Sequence, residues 1–119
     1  MSECYCDFER PEFYRTLKIS AARKEHRCAE CGGRITPREP YEYNTAKWDG
    51  ELCTSKMCQR CIAVRDWVTA HVPCFCWLHG SMLEDAANTV DTYGFEAPGL
   101  TFGYLRRLHA VRRNWGTRR

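Results

Sequence analysis

Several features of common protein classes are missing from this 119-residue chain. No stretch approaches the roughly 18 consecutive apolar residues that a membrane span requires, so we expect no bilayer helix. The first residues, MSECYCD, lack the basic start and apolar core of a secretory signal peptide. We therefore expect a reducing, cytoplasmic compartment, in which disulfides are rare. The length favours one domain, because domains usually contain about 100–150 residues.

The chain is instead rich in cysteine, with nine residues of this type. Four of them form the pairs Cys28-x-x-Cys31 and Cys58-x-x-Cys61, with 26 residues between the pairs. In a reducing compartment, two such pairs around a hairpin are typical of a tetrahedral zinc site made of four thiolates. Iron can occupy the same kind of site. We predict a structural metal ion here.

The residues around these pairs predict the local structure. Gly32 and Gly33 supply the backbone freedom that a zinc knuckle needs for its amides to turn toward the sulfurs. Asp49-Gly50 between segments 41–47 and 52–56 is typical of a β-hairpin turn. The second cysteine pair opens a helix over 58–72, with Thr54 or Ser55 as N-cap and Pro73 as its end.

Two further helices are expected in the remainder of the chain. Ser81-x-x-Glu84 is a capping-box pattern, and Leu83, Ala87 and Val90 follow on one face of a helix that ends near 94. The last helix, over about 101–114, carries an apolar stripe among arginines. Residues 1–27 show no helical period and are interpreted as an irregular arm.

Knuckle, hairpin and a helix that donates the second ligand pair follow one another as in the treble-clef zinc fingers, and residues 28–72 resemble that family. The whole chain also looks like small zinc-finger proteins of bacteriophages and prophages, through segments such as CYCD at 4–7 and HVPCFCWLHG at 71–80. The resemblance implies a small α+β fold. In it, one zinc-stabilised domain (1–119) comprises an arm (1–27), a metal-stabilised treble-clef finger (28–72) and an extension of two C-terminal helices with a basic tail (73–119). It also implies a bacterial host cytoplasm and no established activity.

Four of the remaining cysteines form two more pairs, Cys4-x-Cys6 and Cys74-x-Cys76. Cys53 belongs to none of the pairs. We predict a second structural zinc ion that joins the arm to the end of the first long helix, giving two zinc ions in all. His79 could replace one of the thiolates. The alternative is four buried or free thiols.

Charge is unevenly distributed along the chain. Residues 79–103 contain four acids and no Lys or Arg, whereas residues 104–119 contain six arginines and no acid. The formal net charge is +3, but each site of four thiolates and one zinc ion contributes about −2, so two sites would bring the protein near −1. A basic tail can bind nucleic acid, contact an acidic protein surface or fold back on its neighbour.

The sequence offers little support for catalysis. The hairpin segment 35–57 contains no histidine, whereas treble-clef nucleases place a general-base histidine there. The deaminase patterns His-x-Glu and Pro-Cys-x-x-Cys are not completed, and Cys58-x-x-Cys61 lacks the βαβ context of a thioredoxin-like redox motif. We therefore expect a non-enzyme with no small-molecule substrate.

Two binding functions remain open. In the first, the protein is a phage-encoded inhibitor or adaptor that binds a host protein through aromatic and arginine side chains. In the second, it is a nucleic-acid-binding module that uses its arginine-rich tail and the basic run at 23–27. The modest net charge favours the protein partner. The candidate partner-binding residues are Trp48, Arg106, Arg107, Arg112 and Arg113.

Overall fold

The computed structural model describes residues 13–73, 75–77 and 80–115. Within them the chain forms a small α+β structure with antiparallel strands and three helices, as the sequence predicts. The strands are β1 (Phe13–Ile19), β2 (His26–Arg27), β3 (Arg34–Ile35), β4 (Tyr41–Trp48) and β5 (Glu51–Cys58), and the helices are α1 (Gln59–His71), α2 (Met82–Tyr93) and α3 (Pro98–Trp115). None of the helices in these ranges is long and apolar enough to cross a bilayer.

The predicted hairpin is confirmed and is longer than expected. β4 and β5 pair antiparallel from Tyr41 with Cys58 to Trp48 with Glu51. Between them Asp49 and Gly50 have φ angles of 49° and 84°. Two successive positive φ angles are the geometry of a type I′ turn, which Asp-Gly favours because its twist matches that of the strands.

The irregular-arm interpretation is wrong for residues 26–27, which form β2, and for residues 13–19. This segment forms β1, which pairs antiparallel with β4 from Phe13 with Lys47 to Ile19 with Tyr41, so the sheet order is β1-β4-β5. The sequence FYRTLKI contains β-branched and aromatic residues and no Gly or Pro, which suits an extended strand. β1 lies at the edge of the sheet, and its apolar residues alternate only weakly with polar ones. The sequence pattern therefore did not predict this strand.

α1 begins later than the proposed caps implied. Thr54 and Ser55 lie inside β5, whose pairing with β4 continues to Cys58, and Cys58 itself occupies the N-cap position of α1. The helix ends at His71, two residues before Pro73. The stop at Pro73 is therefore confirmed, and the predicted N-caps are wrong.

The core lies where α1 meets the two later helices. Cys61, Val64 and Val68 are the buried residues of α1, and Met82, Ala86 and Val90 are those of α2. The buried stripe of α2 is rotated from the expected one, since Leu83 and Ala87 are only partly buried at its edge. From α3 the buried contributors are Leu100, Tyr104 and Val111.

α1 also contacts the sheet, on the face that carries the even-numbered residues of β4. Glu42, Asn44 and Ala46 are buried on this face. Glu42 is 2% exposed and forms an ion pair with Arg65 of α1 at 2.6 Å. The paired charges satisfy each other inside the structure and fix the helix against the sheet.

Candidate metal centre

The four cysteines of the two x-x-spaced pairs come together at one point. Cys28 follows β2, Cys31 precedes β3, Cys58 ends β5 and Cys61 lies in the first turn of α1. All four are buried, and their sulfur atoms lie within 4.8 Å of one another. They are reduced thiols in the structure. The predicted cluster is therefore present, and it can hold a metal ion.

The sulfur geometry matches the requirements of a tetrahedral ion. The Sγ atoms of Cys28 and Cys61 lie 3.7 Å apart, and those of Cys31 and Cys58 lie 3.8 Å apart. A zinc ion with four bonds of about 2.3 Å to sulfur places its ligands about 3.8 Å from one another. These distances are far too long for a disulfide, whose sulfurs lie about 2.05 Å apart. The donor set fits zinc without rearrangement of the backbone.

Backbone amides point at two of the sulfurs. The amide of Gly33 donates to Sγ of Cys31 at 3.2 Å, and the amide of Cys58 donates to Sγ of Cys28 at 3.3 Å. Gly32 has a φ of 71°, which lets the loop turn back so that its own amide reaches the Cys28 carbonyl at 2.9 Å. The amides of Gly33 and Cys58, which donate to sulfur, stabilise thiolates in the way that a zinc knuckle requires.

The thiols strongly influence one another's ionisation. Hydrogen bonding with Cys28 is the largest cause that lowers the pKa of Cys31 below its ordinary value. Hydrogen bonding with the same residue is the largest cause that raises the pKa of Cys61. Four sulfurs this close do not all become anionic without a compensating cation. A divalent ion supplies that compensation, and its binding must displace protons.

The predicted second site falls mostly outside the described residues, which do not include Cys4, Cys6, Cys74 or His79. Cys76 is described and is disulfide-bonded in the structure. A sulfur in a disulfide is not a thiolate ligand, so a second zinc ion requires this bond to be reduced. The second site stays a prediction. The remaining cysteine, Cys53, is a free thiol exposed on β5.

Sequence reasoning missed a residue inside the knuckle. Glu30 lies between two of the cysteines, and its carboxylate accepts hydrogen bonds from the amides of Gly80 and Met82, at 2.8 and 2.9 Å. It thus caps α2 from 50 residues away. The expected capping box is wrong, because Ser81 at the N-cap makes no side-chain cap hydrogen bond. No local pattern marks Glu30 for this role.

The candidate partner-binding residues occupy different elements. Trp48 ends β4 and is half-buried, whereas Arg106 and Arg112 are exposed on α3. The guanidinium of Arg107 lies 3.9 Å from the ring centre of Trp67 and donates to the Gly103 carbonyl at 3.0 Å. Arg107 is therefore engaged within the fold. The tail residues Arg118 and Arg119 lie outside the described ranges.

Arg113 lines an open groove of about 620 Å³ beside the first turn of α1. Arg34 and Arg60 also line it, a convergence of cations that the sequence did not indicate. Glu39 lies in the same groove, and its carboxylate pairs with Arg60. The acid neutralises part of the positive charge. The groove is therefore less suited to an anion than its arginines alone suggest.

Comparison with known proteins does not assign a family: no protein-family model, curated protein or solved structure matches the chain.

Proposed function

We propose that this protein is a non-enzymatic zinc-finger module whose metal centre is structural and whose helical extension binds a protein partner. The elements around the metal centre support a treble clef. A β2–β3 knuckle supplies one pair of thiolates, the β4–β5 hairpin follows, and α1 supplies the second pair. In keeping with the resemblance to small phage proteins, the proposed role is an inhibitor or adaptor that acts on a bacterial host protein.

The burial of the cysteines supports a structural role for the metal. Catalytic zinc usually has three protein ligands and an open position for water, whereas structural zinc is enclosed by four. Here four buried sulfurs with tetrahedral spacing fill the positions of one ion. Such a site stabilises the fold and leaves no vacancy for an activated water.

The observation that carries the partner proposal is an exposed apolar stripe on α3. Phe102 is 66% exposed and Leu105 is 52% exposed, and they are three residues apart, so they lie on one face of the helix. Arg106 extends the stripe, with its guanidinium 5.4 Å from the ring centre of Phe102. Phe, Leu and Arg at this spacing suit an apolar groove with an acidic rim.

The stripe is tested by affinity capture from a bacterial lysate after nuclease treatment and at high salt. The wild-type protein should retain a protein that the double variant Phe102→Glu/Leu105→Glu does not. The control variant Ala70→Glu/Asn88→Glu adds the same charges at exposed positions of α1 and α2 and should retain that protein. If all three forms retain the same set of proteins, the stripe is not the docking site.

A further inference from the structure

The three-stranded sheet has a second face that no described helix covers. α1 lies against the face of Glu42, so the odd-numbered residues of β4 point the other way. In the register of the sheet, Tyr43 on this second face is flanked by Leu17 of β1 and by Lys56 of β5. Leu52 on the same face is 67% exposed. The face is therefore open to solvent over much of its length.

This second face carries positive charge only. Its three cations, Arg15, Lys47 and Lys56, come from three different strands, and no Asp or Glu occupies the positions of this face in β1, β4 or β5. No salt bridge joins any of the three to an acid within the described ranges. The acids of the hairpin strands, Glu42 and Glu51, stand on the opposite face.

An aromatic ring lies on the central strand of this positive surface, directly beside Lys56. The Nζ of Lys56 is 5.5 Å from the ring centre of Tyr43, and Leu17 adds apolar surface that is 40% exposed. Lys47 and the partner position of Lys56 are four residues apart on β4, which is about 14 Å along the strand. Cations at both ends of this span can contact separate phosphates of one extended strand, and the ring of Tyr43 lies at the Lys56 end, because Tyr43 is itself the partner of Lys56.

We propose that this sheet face binds single-stranded nucleic acid, with Arg15, Lys47 and Lys56 on phosphates and Tyr43 stacked on a base. Uncompensated cations from three strands complement a polyanion. Stacking on an aromatic side chain requires a base that is not already stacked in a duplex. This function is additional to that of the α3 stripe, which lies on another element. It also uses residues other than the arginines of the tail.

The test is fluorescence anisotropy of a labelled twelve-nucleotide oligothymidylate titrated with the zinc-loaded 119-residue protein at several salt concentrations. Replacing the three cations with alanine should weaken binding at least tenfold and reduce the slope of log K against log salt by about 2, since each phosphate contact on a single strand contributes about 0.7. The control triple variant Lys18→Ala/Arg23→Ala/Arg38→Ala removes the same charge elsewhere and should bind within about twofold of wild type.

The ring is tested separately from the charges. Tyr43→Thr keeps a residue suited to a strand but removes the ring, and it should weaken binding about tenfold without changing the salt slope. Tyr43→Phe should bind like wild type. The proposal is overturned if the wild-type protein binds a duplex of equal length as tightly as the single strand. It is also overturned if the control triple variant loses as much affinity as the variant that lacks Arg15, Lys47 and Lys56. If no binding occurs at low salt, the sheet face does not bind nucleic acid, and a protein becomes the remaining candidate for its partner.

Discussion

The carboxylate of Glu30 accepts the backbone amide of Met82 at 2.9 Å, and this bond joins the metal centre to the helical extension. Glu30 lies between two metal-site cysteines, whereas Met82 is the first residue of α2. The free amides at a helix N-terminus need acceptors, and a carboxylate also interacts favourably with the positive end of the helix dipole. The loop that holds the cysteines therefore also holds α2.

Glu30→Ala should lower the free energy of unfolding by about 1 kcal/mol, within the range measured for helix caps. The comparison is Ser81→Ala, which should be nearly silent because Ser81 makes no side-chain cap hydrogen bond. Urea unfolding of zinc-loaded protein, followed by circular dichroism, measures both. A larger loss for the Ser81 variant would restore the capping box that the sequence suggested.

The cysteine spacing, the Asp-Gly turn and the stop at Pro73 could be predicted because each depends on residues close together in the sequence. β1 and the Glu30 cap could not. The pairing of β1 with β4 depends on a partner about 30 residues away, and Glu30 reaches an amide 52 residues away. The four buried sulfurs were predictable as a group, whereas the amides that point at them follow from the fold around the loop.

Removing one thiolate of the metal centre should abolish folding. Zinc in such sites contributes on the order of 10 kcal/mol, which is about the whole stability of a small domain. Cys58→Ser should therefore lose cooperative thermal unfolding, whereas Cys53→Ser, at an exposed free thiol, should melt like wild type. A Cys58→Ser protein with an unchanged melting curve would exclude the metal site.

Zinc binding should also release protons, because thiols that are protonated in the metal-free protein must become thiolates. Hydrogen bonding with Cys28 raises the pKa of Cys61, which favours the protonated thiol when no ion is bound. Zinc affinity should therefore fall as the pH is lowered from 7 to 5. Calorimetric titration at pH 7 in two buffers of different ionisation enthalpy measures the released protons, and equal heats in both buffers would contradict this account.

The second zinc site can be tested separately by counting the zinc ions bound per chain. Protein purified with a reductant should contain two zinc ions per chain by elemental analysis, and Cys76→Ser should contain one. Cys53→Ser serves as the control, since it removes a cysteine that belongs to neither site. One ion per chain in all three proteins would instead favour the disulfide that the structure shows at Cys76.

The contact between α1 and α3 depends on the absence of a side chain at Gly103. A Cβ atom there would overlap Cζ2 of Trp67, and it would lie 2.5 Å from Cε2 of the same ring. Gly103→Ala should therefore cost about 1–3 kcal/mol through overpacking, despite the better helix propensity of alanine. Gly99→Ala is the matched control in the same helix, because a Cβ there meets nothing within 4 Å, and it should be neutral or slightly stabilising. Thermal unfolding of the two variants and the wild-type protein measures the difference in stability. Equal stabilities would show that Trp67 can move away without a loss of stability.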